Sequence, residues 1–328
     1  MDTFANVPQE LERACLARVP YEFHGYIRAV CKRWKGIVKS VEFFQERKRI
    51  GRLEHRICVL EIYEYGQVTL YNPMHNSKKK LPSCIPHGST QLPRCGWNCI
   101  SVNQKLVLMG GYLDLKPTKT INVYDFCSSK WRNGAEMPTA TADFACGASP
   151  EGMIYVAGGG VDHDESMDAA LYDVNQDKWE VLPRMNRWPG LWCAGAFLDN
   201  KFFVIGFNNS ELFDLRKRKW TILETHWNGG GVKTVTVSTS LYMFKGENVT
   251  EYDCKENVVR NVEPLCYRFR AWWVTLCGER IFIYGFDLVS RRTRLLLFDP
   301  KAIPQEMLSA CEGNEGLQYL GLVVSVQL

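Results

Sequence analysis

An aromatic residue followed by aspartate returns at near-regular intervals through most of this 328-residue chain. The pairs are Tyr124-Asp125, Tyr172-Asp173, Phe213-Asp214, Tyr252-Asp253 and Phe298-Asp299, with Tyr71-Asn72 as an earlier member. Successive aromatics lie 53, 48, 41, 39 and 46 residues apart, about 45 on average. A period of that length marks a supersecondary unit that cannot bury its apolar face alone and must stack on copies of itself. No other feature restricts the fold as tightly.

The units agree in detail. Trp131, Trp179 and Trp220 each follow the repeat Asp by six residues. Fourteen residues before the Asp, Leu106–Gly111 and Ile154–Gly159 are apolar runs closed by a glycine pair. Short runs rich in aromatic and β-branched residues and closed by glycine predict buried strands. Asp followed by a polar stretch such as Asn175-Gln176-Asp177-Lys178 predicts a tight hairpin into the Trp-bearing strand. Four such strands form a sheet with two apolar faces, so the sheets stack radially and clamp the aromatics between them. These units resemble kelch repeats over roughly residues 55–328. The resemblance implies a mainly β chain folded as a β-propeller of about six blades, closed by the apolar C-terminal run Leu320–Val326. Val259 and Gln305 stand at the Trp position of the last two units. Gly158-Gly159-Gly160 lacks the Lys-Ser/Thr of a phosphate loop and any following helical pattern.

Residues 1–50 form a different unit, and 51–328 the repeats. Charge separates the two: residues 1–52 hold eleven Lys or Arg against six Asp or Glu, whereas the whole chain is only +4. Pro8 suits a first helical turn; Leu11, Cys15, Leu16 and Val19 keep helical spacing, and Pro20 ends the segment. Phe23, Ile27, Val30, Cys31 and Trp34 predict a second helix, and Val41, Phe43 and Phe44 with Arg47-Lys48-Arg49 a third. Three short helices make a core too small to be comfortable alone. Val7-Pro8 with Leu11, Cys15–Pro20, and Val30-Cys31-Lys32-Arg33-Trp34 with Ser40 and Phe43 resemble an F-box. That resemblance implies docking on a Skp-type adaptor, and through it a cullin, by Pro8, Leu11, Cys15, Leu16, Val19, Pro20, Val30, Cys31 and Trp34.

Catalytic signatures are absent from the sequence: no G-x-S-x-G, H-E-x-x-H or Walker motif occurs. The expectation is a non-catalytic chain with no metal and no cofactor. Cys95 and Cys99, with His87 upstream, lack the second ligand pair of a zinc site. The net charge is too small for a nucleic-acid binder, and no run is long and apolar enough for a membrane helix. The first residues lack a secretory pattern, so the thirteen cysteines are expected reduced, in the cytoplasm or nucleus.

A binding face remains. The kelch resemblance implies that segments just before each innermost strand line it. These contain Arg94; Arg187 and Trp188; His226 and Trp227; and Arg268, Arg270 and Trp272. Arg and Trp are the commonest interface hot spots, and the arginines suit an acidic or phosphorylated segment of a protein substrate. Trp192 and Trp273, in the same segments, could equally pack between blades. An F-box before kelch repeats is the build of plant substrate receptors of SCF ubiquitin ligases. Two other readings stay open: a propeller enzyme or small-ligand binder, and a binding scaffold outside any ligase.

Overall fold

The computed structural model describes residues 7–61, 67–73, 75, 77–83, 95–161, 164–224, 227, 229–262, 269–300, 307–312 and 320–328. It is a six-bladed β-propeller preceded by four α-helices. Each blade is a four-stranded antiparallel meander, to which Lys116–Pro117 adds a short fifth strand in blade 2. Blades 2 to 6 begin with innermost strands Cys95–Val102, Ala145–Ala148, Ala194–Leu198, Lys233–Val237 and Phe269–Cys277. Blade 1 takes its innermost strand from the other end of the chain. Leu320–Gln327 pairs along His55–Glu61, which continues outward to Gln67–Asn72 and Ser77–Lys80. The expected closure by the C-terminal run is therefore what the chain adopts. Among the described residues no helix is long and apolar enough to cross a membrane.

The repeat motif works through local hydrogen bonds. The side chain of Asp173 accepts from the backbone N–H groups of Asn175 and Gln176, at 2.8 and 3.0 Å. Asp214 accepts likewise from Arg216 and Lys217, and Asp253 from Lys255 and Glu256. This Asx turn is completed four residues after each Asp by a left-handed residue: Asp177, Arg218 and Asn257 have φ of 57°, 50° and 56°. The chain reverses so that the Trp falls directly opposite the repeat aromatic, as in Tyr124↔Trp131, Tyr172↔Trp179 and Phe213↔Trp220. Tyr172 and Trp179 stack with ring centroids 4.7 Å apart.

Each of these Trp side chains then reaches the preceding connection. The indole N–H groups of Trp131, Trp179 and Trp220 donate to the carbonyls of Pro82, Ala135 and Pro183 at 2.7, 2.8 and 2.7 Å. Trp179→Phe keeps the ring and loses the donor, an expected cost of about 1 kcal/mol. Trp179→Ala removes both, about 3 kcal/mol. Urea unfolding of the two variants separates the contributions.

Near the axis the innermost strands abut through glycine. A Cβ on Gly195 of blade 4 would lie 2.4 Å from the carbonyl oxygen of Cys146 in blade 3. Blade 5 lacks the repeat Trp, and Val259 stands opposite Tyr252. Its place is filled by Trp227, buried between Phe203 and Tyr252 at centroid distances of 5.8 and 5.0 Å. In blade 6, Phe298 is paired in register with Met307, and Gln305 lies outside the described residues.

The helical module comprises α1 (Gln9–Leu16), α2 (His24–Val30), α3 (Lys32–Val38) and α4 (Val41–Arg49), with a 3₁₀ turn at Tyr21–Phe23. The second predicted helix is thus two. Cys31 is extended (φ −158°, ψ 164°), and its sulfur accepts from the N–H of Trp34, so it caps α3 and breaks the run. Ser40 caps α4 by accepting from Phe43 N–H at 3.1 Å. Leu16, Ala17, Ile27, Ile37, Val38 and Phe43 form the module's core.

Candidate functional site

The meander fixes two ends. Turns between strands one and two and between three and four of each blade lie at one end. Connections into the innermost strands lie at the other, the distal face. The helical module sits at the first end. Arg28 donates to Ser129 Oγ at 2.7 Å, in the turn between the third and fourth strands of blade 2. Arg47 of α4 is 2% exposed and donates to the carbonyls of Ala17, Val19 and Arg52 and to Glu54. Glu54 also accepts from Arg56 and from the N–H of Tyr21, and its backbone pairs with Leu328. Phe44 and Lys48 of α4 line the same end of a central channel of about 910 Å³.

On the module, the residues implied in adaptor docking divide. Leu11 and Val30 are 58% and 62% exposed, and Pro8, Cys15, Pro20 and Cys31 also face solvent. Phe23 and Tyr26, absent from the expected set, add exposed rings 6.4 Å apart. Leu16 instead faces the module's own core, and Val19 and Trp34 pack half-buried against it. The reason is geometric. An eight-residue helix has two apolar stripes here, and the one carrying Leu16 meets α3 and α4. Glu12, buried beside it, is held by Arg33 at 2.7 Å, which ties α1 to α3.

On the distal face the expected set also divides. Arg187 is exposed and Trp188 half-buried, its indole N–H donating to the carbonyl of Gly159 at 3.2 Å. Their loop is held by Glu211, fully buried, which accepts from the N–H groups of Asn186 and Arg187 and from the Asn186 amide. The sequence offers no mark for Glu211, because it occupies an ordinary strand position. Trp227 is not on the face at all, since it replaces the missing Trp of blade 5. Trp272 is the extra residue of a β-bulge between Ala271 and Trp273. The bulge lets adjacent tryptophans diverge: Trp272 stacks outside on Phe286, 40% exposed, and Trp273 lines the channel. Arg270 lies in the same strand. Arg94, His226 and Arg268 lie outside the described residues.

Trp192, for which the binding face and a place between blades were both open, is 65% exposed with φ 54°. Leu191 and Phe207 accompany it, 36% and 66% exposed. Arg184, nearby in sequence, is engaged by Asp168 at 3.0 Å.

Burial pushes the thiols of Cys146 and Cys193 up to about 12, and that of Cys127 to about 11, so none is a ready nucleophile. Among the described residues no three His, Cys, Asp or Glu side chains gather as a metal site. Cys95 and Cys99 share the innermost strand of blade 2, and His87 lies outside the described residues.

Both parts of the chain resemble known proteins. The F-box domain pattern matches residues 4–46 and the Kelch motif residues 93–138. F-box/kelch-repeat protein At1g67480 of Arabidopsis thaliana is 30% identical over 91% of this chain and 83% of its own length. F-box/kelch-repeat protein At1g16250 is 29% identical over 67% and 62%, and F-box/kelch-repeat protein SKIP30 27% identical over 72% and 70%, both from the same plant. This chain therefore spans between 62% and 83% of the length of these three relatives. With a capped helical module at one end of a six-bladed ring, and that likeness along nearly its whole length, the chain belongs to the F-box/kelch-repeat proteins.

Proposed function

We propose that this protein is a substrate receptor of an SCF-type ubiquitin ligase, acting in the cytoplasm or nucleus. The helical module docks a Skp-type adaptor and through it a cullin, and the distal face holds the protein to be ubiquitinated. The receptor supplies no reacting group. Its contribution is proximity, which converts an encounter between target and conjugating enzyme into an effectively intramolecular step.

One observation carries this reading. The apolar side chains that the module leaves in solvent, Leu11, Phe23, Tyr26 and Val30, belong to the unit at one end of the propeller, while the open connections lie at the other. Both ends can be occupied at once. Exposed side chains of this kind on so small a unit favour an obligate partner over a free surface.

Pull-down with a Skp-type adaptor tests it. Leu11→Asp with Val30→Asp should reduce retention at least 100-fold, because each is expected to remove about 1.5–2 kcal/mol of interface energy. Neither change touches the module's core, so the melting curve should hold. Undiminished retention in a folded double variant rejects adaptor docking by this surface. Leu16→Ala is unsuitable as a test, because it would unfold the module first.

A further inference from the structure

Lys233 is the first residue of the blade 5 innermost strand, and its side chain lines the channel. Its ammonium lies 4.4 Å from the centroid of the Trp273 ring. Among the described residues no carboxylate stands within 4 Å of it. Asp143, two residues before the blade 3 innermost strand, is the charged group whose field Lys233 feels, and burial weakens the charged form of the lysine. A recessed cation that rests on an aromatic face, with a carboxylate only at longer range, retains demand for an anion.

The rim beside it is apolar. Phe207 lies over Gly230, where a Cβ would come within 2.6 Å of its ring, three residues before Lys233. Trp192 precedes Cys193, which lines the channel. Cys193 holds the turn in place: its N–H donates to the carbonyl of Asp143 at 3.2 Å and its thiol to that of Gly190 at 2.9 Å. A tryptophan in the left-handed region, with 65% of its surface in solvent, has two unfavourable features. Both are accounted for if the ring meets a partner.

We propose that the recruited protein docks on the blade 4–5 side of the distal mouth through a segment bearing Asp or Glu beside a bulky apolar residue, its carboxylate reaching Lys233 and its apolar group resting on Trp192 and Phe207. The proposal rests on the receptor reading and names its ligand chemistry. A single carboxylate suits the site better than a phosphate dianion, because Asp143 shares the mouth. It also moves the anion away from the rim arginines, of which Arg184 already has its carboxylate.

The test is a random dodecapeptide display library panned on the full-length protein, followed by fluorescence-polarisation titration of the enriched peptides. The expected peptides share an acidic residue within two positions of a large apolar one. Their affinity falls at least tenfold with Lys233→Met and at least tenfold with Trp192→Gly, and is unchanged with Arg184→Ala. Glycine relieves the left-handed backbone at 192, so a binding loss without a fall in melting temperature separates docking from a structural role. Enrichment without acidic residues, no enrichment over the Lys233→Met protein, or an affinity for either variant equal to that for the unaltered protein overturns the proposal. So does free glutamate binding as tightly as the peptides, which would make the site one for a small molecule. Adaptor retention reads the receptor hypothesis separately, so either can fail alone.

Discussion

A chain ending at residue 319 will not reach the native propeller. Leu320–Gln327 is the innermost strand of blade 1, in register with His55–Glu61 from Gln327↔His55 to Leu320↔Glu61. Beyond it, the N–H and carbonyl of Leu328 both pair with Glu54, at 3.0 and 2.9 Å. Val326 and Leu328 are each 1% exposed and join the core shared with blade 2. Burial of two such side chains contributes about 3–6 kcal/mol, and a lost strand ladder adds several more. That sum is comparable with the roughly 5–15 kcal/mol by which a folded domain is stable. The expected result is loss of the cooperative thermal transition by circular dichroism, with aggregated material on size exclusion. A truncated chain that melts at the native temperature would show that the ring does not depend on this closure.

Arg47→Met should cost about 3–5 kcal/mol, because it strands the carbonyls of Ala17, Val19 and Arg52 in the interior and releases Glu54 from one of its two arginines. Limited proteolysis should then cut within residues 9–49 before the propeller strands. The same pocket gives the module a pH response. His24 lies between Tyr21 and Phe43, bonded through Nε2 to the carbonyl of Val19, with Arg47 alongside. Burial first, and the nearby arginines after it, depress its pKa from 6.5 to about 4. The unfolded chain therefore takes up the proton earlier. Stability is intact above pH 6.5, falls as pH drops toward 4, and loses up to about 3 kcal/mol across that window. His24→Gln should flatten the slope between those limits, as read by urea midpoints at successive pH values. An unchanged slope would assign the acid response elsewhere.

Much of the propeller was legible along the chain because its motif is short-range. The repeat Asp, the left-handed residue four places on and the Trp two beyond that are joined by one turn, so their spacing survives in the sequence. About six units followed from the repeat and its resemblance to kelch repeats, and the terminal strand from its own apolar run. Side-chain partners from other blades were not legible. Trp227 reads as a loop tryptophan, yet it fills the vacancy that Val259 leaves opposite Tyr252. Arg47 reads as one of three cations at a helix end, yet carbonyls of the helical module and of the C-terminal Leu328 converge on it.

The candidate faces show the same boundary. The F-box words located the helices, but periodicity alone could not say which stripe of α1 turns inward, since Leu11 and Leu16 are equally apolar. Trp192 and Trp273 carried the same expectation until a left-handed turn exposed one and a bulge turned the other into the channel. Sequence by itself determined the blade, because hairpin geometry is written in neighbours a few residues apart. Tertiary structure alone decided which aromatic faces solvent and which fills the ring, because closure brings together groups that the chain separates by tens or hundreds of residues.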